Sequence, residues 1–245
     1  MEENKNTPTE KVEAPKQSFG KWLDNFWYHY KWHTIAVIFV LVVAIVCTVQ
    51  LVNREEYDAV IAYAGSKKIS ITSKDGDVAE IVTLQTSLKD IVPDSDKNGE
   101  VSVSLSTLYW LSPNEIAEFQ KNDENIDPSI IDNDRTITNL MLSSEYFLWF
   151  MSDDLYEYVQ GASNDSRFVD LAAMPDADST AEFYGEDTCA VYLKSTEFYK
   201  MPGICDLPED TLIVVRRLGV GTNKATKKAY EVALDMAKEI INYEY

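Results

Sequence analysis

Beyond His33 the chain has no histidine; its only two, His29 and His33, lie within the first 33 residues. That absence removes the Ser-His-Asp triad, the Cys-His pair and histidine-ligated zinc from everything that follows. There is no G-x-S-x-G, no phosphate-binding P-loop and no G-x-G-x-x-G. Basic residues are scarce: 22 Lys and Arg stand against 41 Asp and Glu, a formal net charge of −19. Nucleic-acid binding needs clustered cations, so no nucleic-acid partner is expected. Hydrolysis by carboxylates alone, as in glycosidases, is the enzymatic chemistry left open. With so many acids a carboxylate pair carries little information, and the chain reads as non-catalytic.

What the chain does have is one long apolar run. Residues 34–52 read TIAVIFVLVVAIVCTVQLV, with no charged side chain between Lys31 and Arg54. About 20 apolar residues in a helix cross a hydrocarbon core of about 30 Å. A transmembrane helix is therefore expected over 34–53, with the lipid bilayer as its partner. A secretory signal carries a short basic segment and a small-residue cleavage motif; here 33 residues precede the run and no A-x-A follows it. A lipid-modified Cys47 would need a small residue where Val46 stands. A buried core helix would show polar punctuation, and none occurs before Thr48 and Gln50. The run reads as a retained anchor.

Segment 18–33 carries Phe19, Trp22, Phe26, Trp27, Tyr28, Tyr30 and Trp32. Trp and Tyr favour the headgroup level, so this segment is expected to be an interfacial helix that sets the depth of the span. A docking surface for another membrane protein is the alternative. Residues 1–17 are polar, with Pro8 and Pro15 and no apolar period, and read as a disordered cytoplasmic tail. Residues 1–33 hold five Lys and five acids, so the whole net charge belongs to residues from Arg54 onward. An acidic domain is repelled by an anionic cytoplasmic leaflet. The expected topology is N-terminus inside, with an acidic extracytoplasmic domain over 54–245. The run FGKWLDNFWYHYKWHT followed by a single span resembles the start of poorly characterised single-pass membrane proteins of low-GC Gram-positive anaerobes. That likeness covers the anchor and implies a cell-surface location.

About 190 residues follow the span, enough for one well-buried domain or two small lobes. Strand and helix patterns alternate through them. YDAVIAYA (57–64) reads as a strand. Asp77 with Glu80 resembles a capping box opening a helix whose face holds Ile81, Leu88 and Ile91. Val101, Val103 and Leu105 alternate with serines as a half-exposed strand. Ser112-Pro113-Asn114-Glu115 starts a helix, and another follows over about 132–142. YFLWFM (146–151) is apolar on both faces, as in a buried parallel strand. Ser152 can cap the next helix, whose first turn holds Asp153 and Asp154. Later strands are expected at 189–194 and 210–217, before a final amphipathic helix over about 223–243. The order points to an α/β domain with a mixed sheet.

Two pieces of that order, MLSSEYFLWFMSDDLYEYVQ (141–160) and the strand TLIVVRRLG with its following helix KKAYEVALDMAKEII, resemble type 2 extracellular solute-binding proteins. The resemblance covers roughly a quarter of the chain. It implies a periplasmic-binding-protein-like fold, two-lobed in its full form, in which strand ends meet the ligand.

Strand ends are where ligands sit in α/β sheets, which nominates Tyr63, Gly65 and Ser66 after the first strand, and Ser152 and Asp153 after YFLWFM. The run DSDKNGE (94–100) matches the opening of a calcium loop through Asp94, Asp96 and Asn98, but Leu105 stands where the bidentate Glu belongs. It reads as a polar turn with Asn98-Gly99 supplying positive φ, a weak Ca²⁺ site being the alternative. Cys189 and Cys205 could form a disulfide in an exported domain, or Cys189 could be a buried free thiol. The functional expectation is a membrane-anchored extracytoplasmic domain that binds a small solute. The alternative is an envelope protein-interaction or assembly module.

Overall fold

The computed structural model describes residues 19–52, 57–72, 79–95, 97–122, 129–161, 167–174, 181–220 and 222–244. The tail 1–17, Asp77 and Asp96 lie outside these residues. The chain divides into two units, Met1–Glu55 and Glu56–Tyr245.

In the first unit one continuous helix, α1 (Phe19–Val52), joins the aromatic segment to the apolar run without a break. Its stretch Phe26–Gln50 is long and apolar enough to cross a membrane. Phe19, Trp22, Phe26 and Tyr30 stack successively along one side, with centroids 6.0, 5.6 and 5.2 Å apart. Their three- and four-residue spacing puts them on one stripe.

The second unit holds one six-stranded mixed sheet flanked by helices. Its elements are β1 (Ala59–Gly65), α2 (Glu80–Lys89), β2 (Val103–Tyr109), α3 (Pro113–Lys121), α4 (Ser129–Leu142), β3 (Leu148–Ser152), α5 (Asp153–Gly161), β4 (Phe183–Tyr184), β5 (Asp187–Tyr192), β6 (Thr211–Val215) and α6 (Lys224–Ile241). Two short 3-10 helices, Leu193–Ser195 and Glu197–Lys200, lie between β5 and β6. The strand order is β2-β1-β3-β6-β5-β4. β1 runs parallel to both β2 and β3, whereas β6 is antiparallel to β3 and to β5. All described strands belong to this single sheet, so the described residues hold no second lobe with a sheet of its own.

Alternation along the strands sorts the core into two layers. Ile61, Tyr63, Leu148, Phe150, Ile213 and Val215 face α2 and α6, meeting Leu84, Leu88, Val232 and Met236. Ala62, Ala64, Trp149, Met151, Leu212 and Val214 face α4 and α5, meeting Ile137, Met141, Leu155 and Tyr156. β3 is buried at every position, as its unbroken apolar run anticipated. The Ser112 capping box forms as expected, with both reciprocal hydrogen bonds. At α2 the helix begins only at Glu80, with Ala79 at its N-cap and no side-chain cap bond. Glu80 instead accepts the Ser70 N–H at 2.8 Å.

Candidate functional site

The connection from β1 to β2 carries α2 on one face, and the connection from β2 to β3 carries α4 on the other. The chain leaves β1 through α2 toward β2 but leaves β3 through α5, on the opposite face, toward the other half of the sheet, so it parts at the carboxyl ends of β1 and β3. That topological switch point is where open α/β sheets hold ligands.

Four of the five nominated residues meet there, and Ser66 follows directly at half-exposed positions. The register places Ala64 beside Met151, which sets Gly65 beside Ser152. A Cβ on Gly65 would stand 3.7 Å from the Ser152 Cβ and 3.0 Å from the Tyr63 hydroxyl. Glycine suits this position because the hydroxyl end of Tyr63 takes up the space a side chain would occupy. Tyr63 is 1% exposed, and its hydroxyl accepts the Lys67 N–H at 3.3 Å. Burial pushes its phenol above the usual range, the Lys67 amide opposes this, and the charge of Asp210 reinforces it. The phenol therefore stays protonated.

Ser152 departs from expectation. It is 6% exposed, and its Oγ is a buried polar atom without a hydrogen-bond partner. It does not cap α5. Strand alternation turns its side chain to the α2/α6 layer together with Phe150, whereas α5 packs on the opposite layer. The Asp153 carboxylate takes part of the capping role, accepting the Asp154 N–H at 2.7 Å.

β6 brings in a group that the sequence did not nominate. Because β6 is antiparallel to β3, its start lies beside the end of β3: Ser152 pairs with Thr211, and the Asp153 N–H donates to the Asp210 carbonyl at 3.2 Å. Asp153 and Asp210 are both half-exposed. Burial raises both carboxyls above the usual range; Asp154 and Glu157 add to the rise at Asp153, and Asp153, Glu115 and Asp154 to that at Asp210. Tyr184 and Tyr192 sit close enough that Asp153 helps raise their phenols, after the Glu157 hydrogen bond for Tyr184 and burial for Tyr192. Their rings are 5.8 Å apart. The Tyr63 and Ser152 hydroxyls belong to the α2/α6 side of the sheet, whereas Tyr184 and Tyr192 pack against the α4/α5 layer, with Asp153 and Asp210 at the strand ends.

The calcium-like loop is organised differently from the expectation. The two Asp94 oxygens accept the Lys97 and Gly99 N–H groups at 2.6 and 3.0 Å, and the Asn98 side chain accepts the Glu100 N–H at 2.7 Å. Positive φ falls on Lys97 (62°) and Gly99 (87°), not on Asn98. Buried Asp58 ties this loop down: its Oδ1 accepts the Ser95 N–H and Oγ–H at 2.8 and 3.0 Å, and its Oδ2 accepts the Ser102 N–H at 2.9 Å. No group of three or more His, Cys, Asp or Glu residues poised for a metal occurs among the described residues.

Cys189 and Cys205 are unbridged. Cys189 is buried in the α4/α5 layer, whereas Cys205 is exposed between Ile204 and Asp206, with Ile204 in the opposite layer. The sheet separates the two thiols. No family model, curated protein or solved structure matches the chain.

Proposed function

We propose that residues 54–245 form an extracytoplasmic binding domain for a small cationic solute, held at the cell surface by α1. The orphaned Ser152 hydroxyl carries this reading. A buried hydroxyl without a partner costs about 1–3 kcal/mol, and this one sits at the switch point beside a side-chain-free Gly65. A solute that hydrogen-bonds Ser152 recovers that cost. The carboxylates of Asp153 and Asp210 favour a positive charge on it. The likeness to type 2 solute-binding proteins supports the same reading, with the tether replacing a lipid anchor.

Retention of α1 as an anchor is part of the proposal. Its 34 residues span about 51 Å at 1.5 Å per residue, against a hydrocarbon core of about 30 Å. The surplus lets the row Phe19, Trp22, Phe26 and Tyr30 lie at headgroup level while the apolar part crosses. The charge asymmetry favours a cytoplasmic N-terminus. That same exposed row favours a second reading, in which α1 docks against another envelope protein and the domain is an assembly module.

A thermal-shift screen of the full chain in phosphatidylcholine nanodiscs tests the first reading. Amines, amino acids, peptides and sugars form the library. A stabilising cation whose effect is lost in Ser152→Ala supports it. A blank across the library, or a hit that Ser152→Ala leaves intact, rejects it in favour of the assembly module.

A further inference from the structure

At the amino end of β3, opposite the acidic site, a cavity of about 510 Å³ opens between α4 and α5. Ile137, Met141, Leu155 and Val159 line it with apolar surface. Its rim carries Arg167, Arg216 and Arg217, three of the five arginines in a chain of net charge −19. The one lining carboxylate is Asp134, whose Oδ1 is taken by the Trp110 Nε1–H at 2.7 Å.

The backbone forces these arginines together. Phe168 bridges Arg216 in antiparallel sense, and the Arg217 N–H donates to the Arg167 carbonyl at 2.8 Å. Arg167 and Arg217 are therefore directly opposite, and both are exposed. Like charges facing each other across a ladder are destabilising. Arg216 is committed elsewhere: it donates to the Ser143 and Tyr146 carbonyls at 2.7 and 3.2 Å and lies 4.3 Å over the Phe147 ring. None of the ion pairs found among the described residues involves Arg167 or Arg217.

We propose that this cavity binds an apolar carboxylate, with its hydrocarbon or aryl body between α4 and α5 and its carboxylate on Arg167 and Arg217. The anion relieves the repulsion of the two guanidinium groups, and guanidinium and carboxylate match in geometry. The volume suits a small organic molecule. The site is independent of the acidic one, which repels anions.

The test uses the full chain in phosphatidylcholine nanodiscs, with empty nanodiscs as reference, and calorimetric titration of 4-phenylbutyrate against 4-phenylbutylamine. Saturable binding of the acid, with no comparable binding of the amine, is expected. Arg167→Ala and Arg217→Ala should each weaken it roughly tenfold, and Asp153→Asn should leave it unchanged. Thr138→Trp, which plugs the cavity from an exposed position on α4, should abolish it. Equal binding of the amine, unchanged binding in both arginine variants, or no saturable binding of the acid at millimolar concentration overturns the proposal.

Discussion

Replacing Ser152 by alanine should make the protein more stable, an unusual direction for a substitution at a 6% exposed position. The hydroxyl oxygen lacks a partner, and leaving such a group unpaired costs about 1–3 kcal/mol. Alanine keeps the Cβ beside Gly65 and removes only the oxygen, so the cavity penalty is a few tenths of a kcal/mol at ~24 cal/mol per Å³. The balance is a gain of about 1 kcal/mol, or ~2–4 °C in Tm for a domain of this size. Thr196→Ala is the matched control. Thr196 is equally buried at 6%, but its hydroxyl donates to the Leu193 carbonyl at 2.8 Å. Losing that bond should cost about 1 kcal/mol. Urea unfolding followed by near-ultraviolet circular dichroism gives both values on one scale. If Ser152→Ala is as destabilising as Thr196→Ala, Ser152 has a partner such as a bound water, and the reasoning that makes it a ligand-seeking group fails.

Three further outcomes follow from the same geometry. Asp58→Ala should lose about 2–3 kcal/mol, because the carboxylate gathers charge-assisted bonds from Ser95 and Ser102; an unchanged denaturation midpoint would sink its role in holding that loop to β1. Asp153 and Asp210 hold their protons more tightly folded than unfolded, so their contribution to stability falls as pH rises from about 3.9 through their raised values. Asp210→Asn should therefore be more stable than wild type at pH 7 and lose that advantage below about pH 4, as read from melting curves across pH. A membrane-impermeant maleimide applied to intact cells should label exposed Cys205 and spare buried Cys189 until the protein is unfolded; labelling that requires cell lysis would reverse the proposed orientation.

Much of the fold was legible because local signals were strong. The period-2 serines of β2, the double-faced apolar run of β3, the Ser112-Pro113 helix start and the stripe of α6 each name their element from neighbours in sequence. The 94–100 loop reads as a polar turn with an ion loop as the alternative, because Asp94, Asn98 and Gly99 serve either, and positive φ falls on Lys97 rather than Asn98. The anchoring of that loop by Asp58, 37 residues from Ser95 in sequence, was not legible locally.

The sequence by itself determined the apolar helix, the segregation of charge, the alternating α/β order and the chemistries excluded by the lack of histidine. All of these depend on composition or on residues a few positions apart. The tertiary structure decided the rest, since strand direction and layer are pairwise properties that no single segment encodes. The antiparallel insertion of β6 next to β3 set Asp210 beside Asp153. The turn of Ser152 away from α5 left its hydroxyl unpaired at the switch point. The pairing of 167–169 with the end of β6 faced two arginines across one rung.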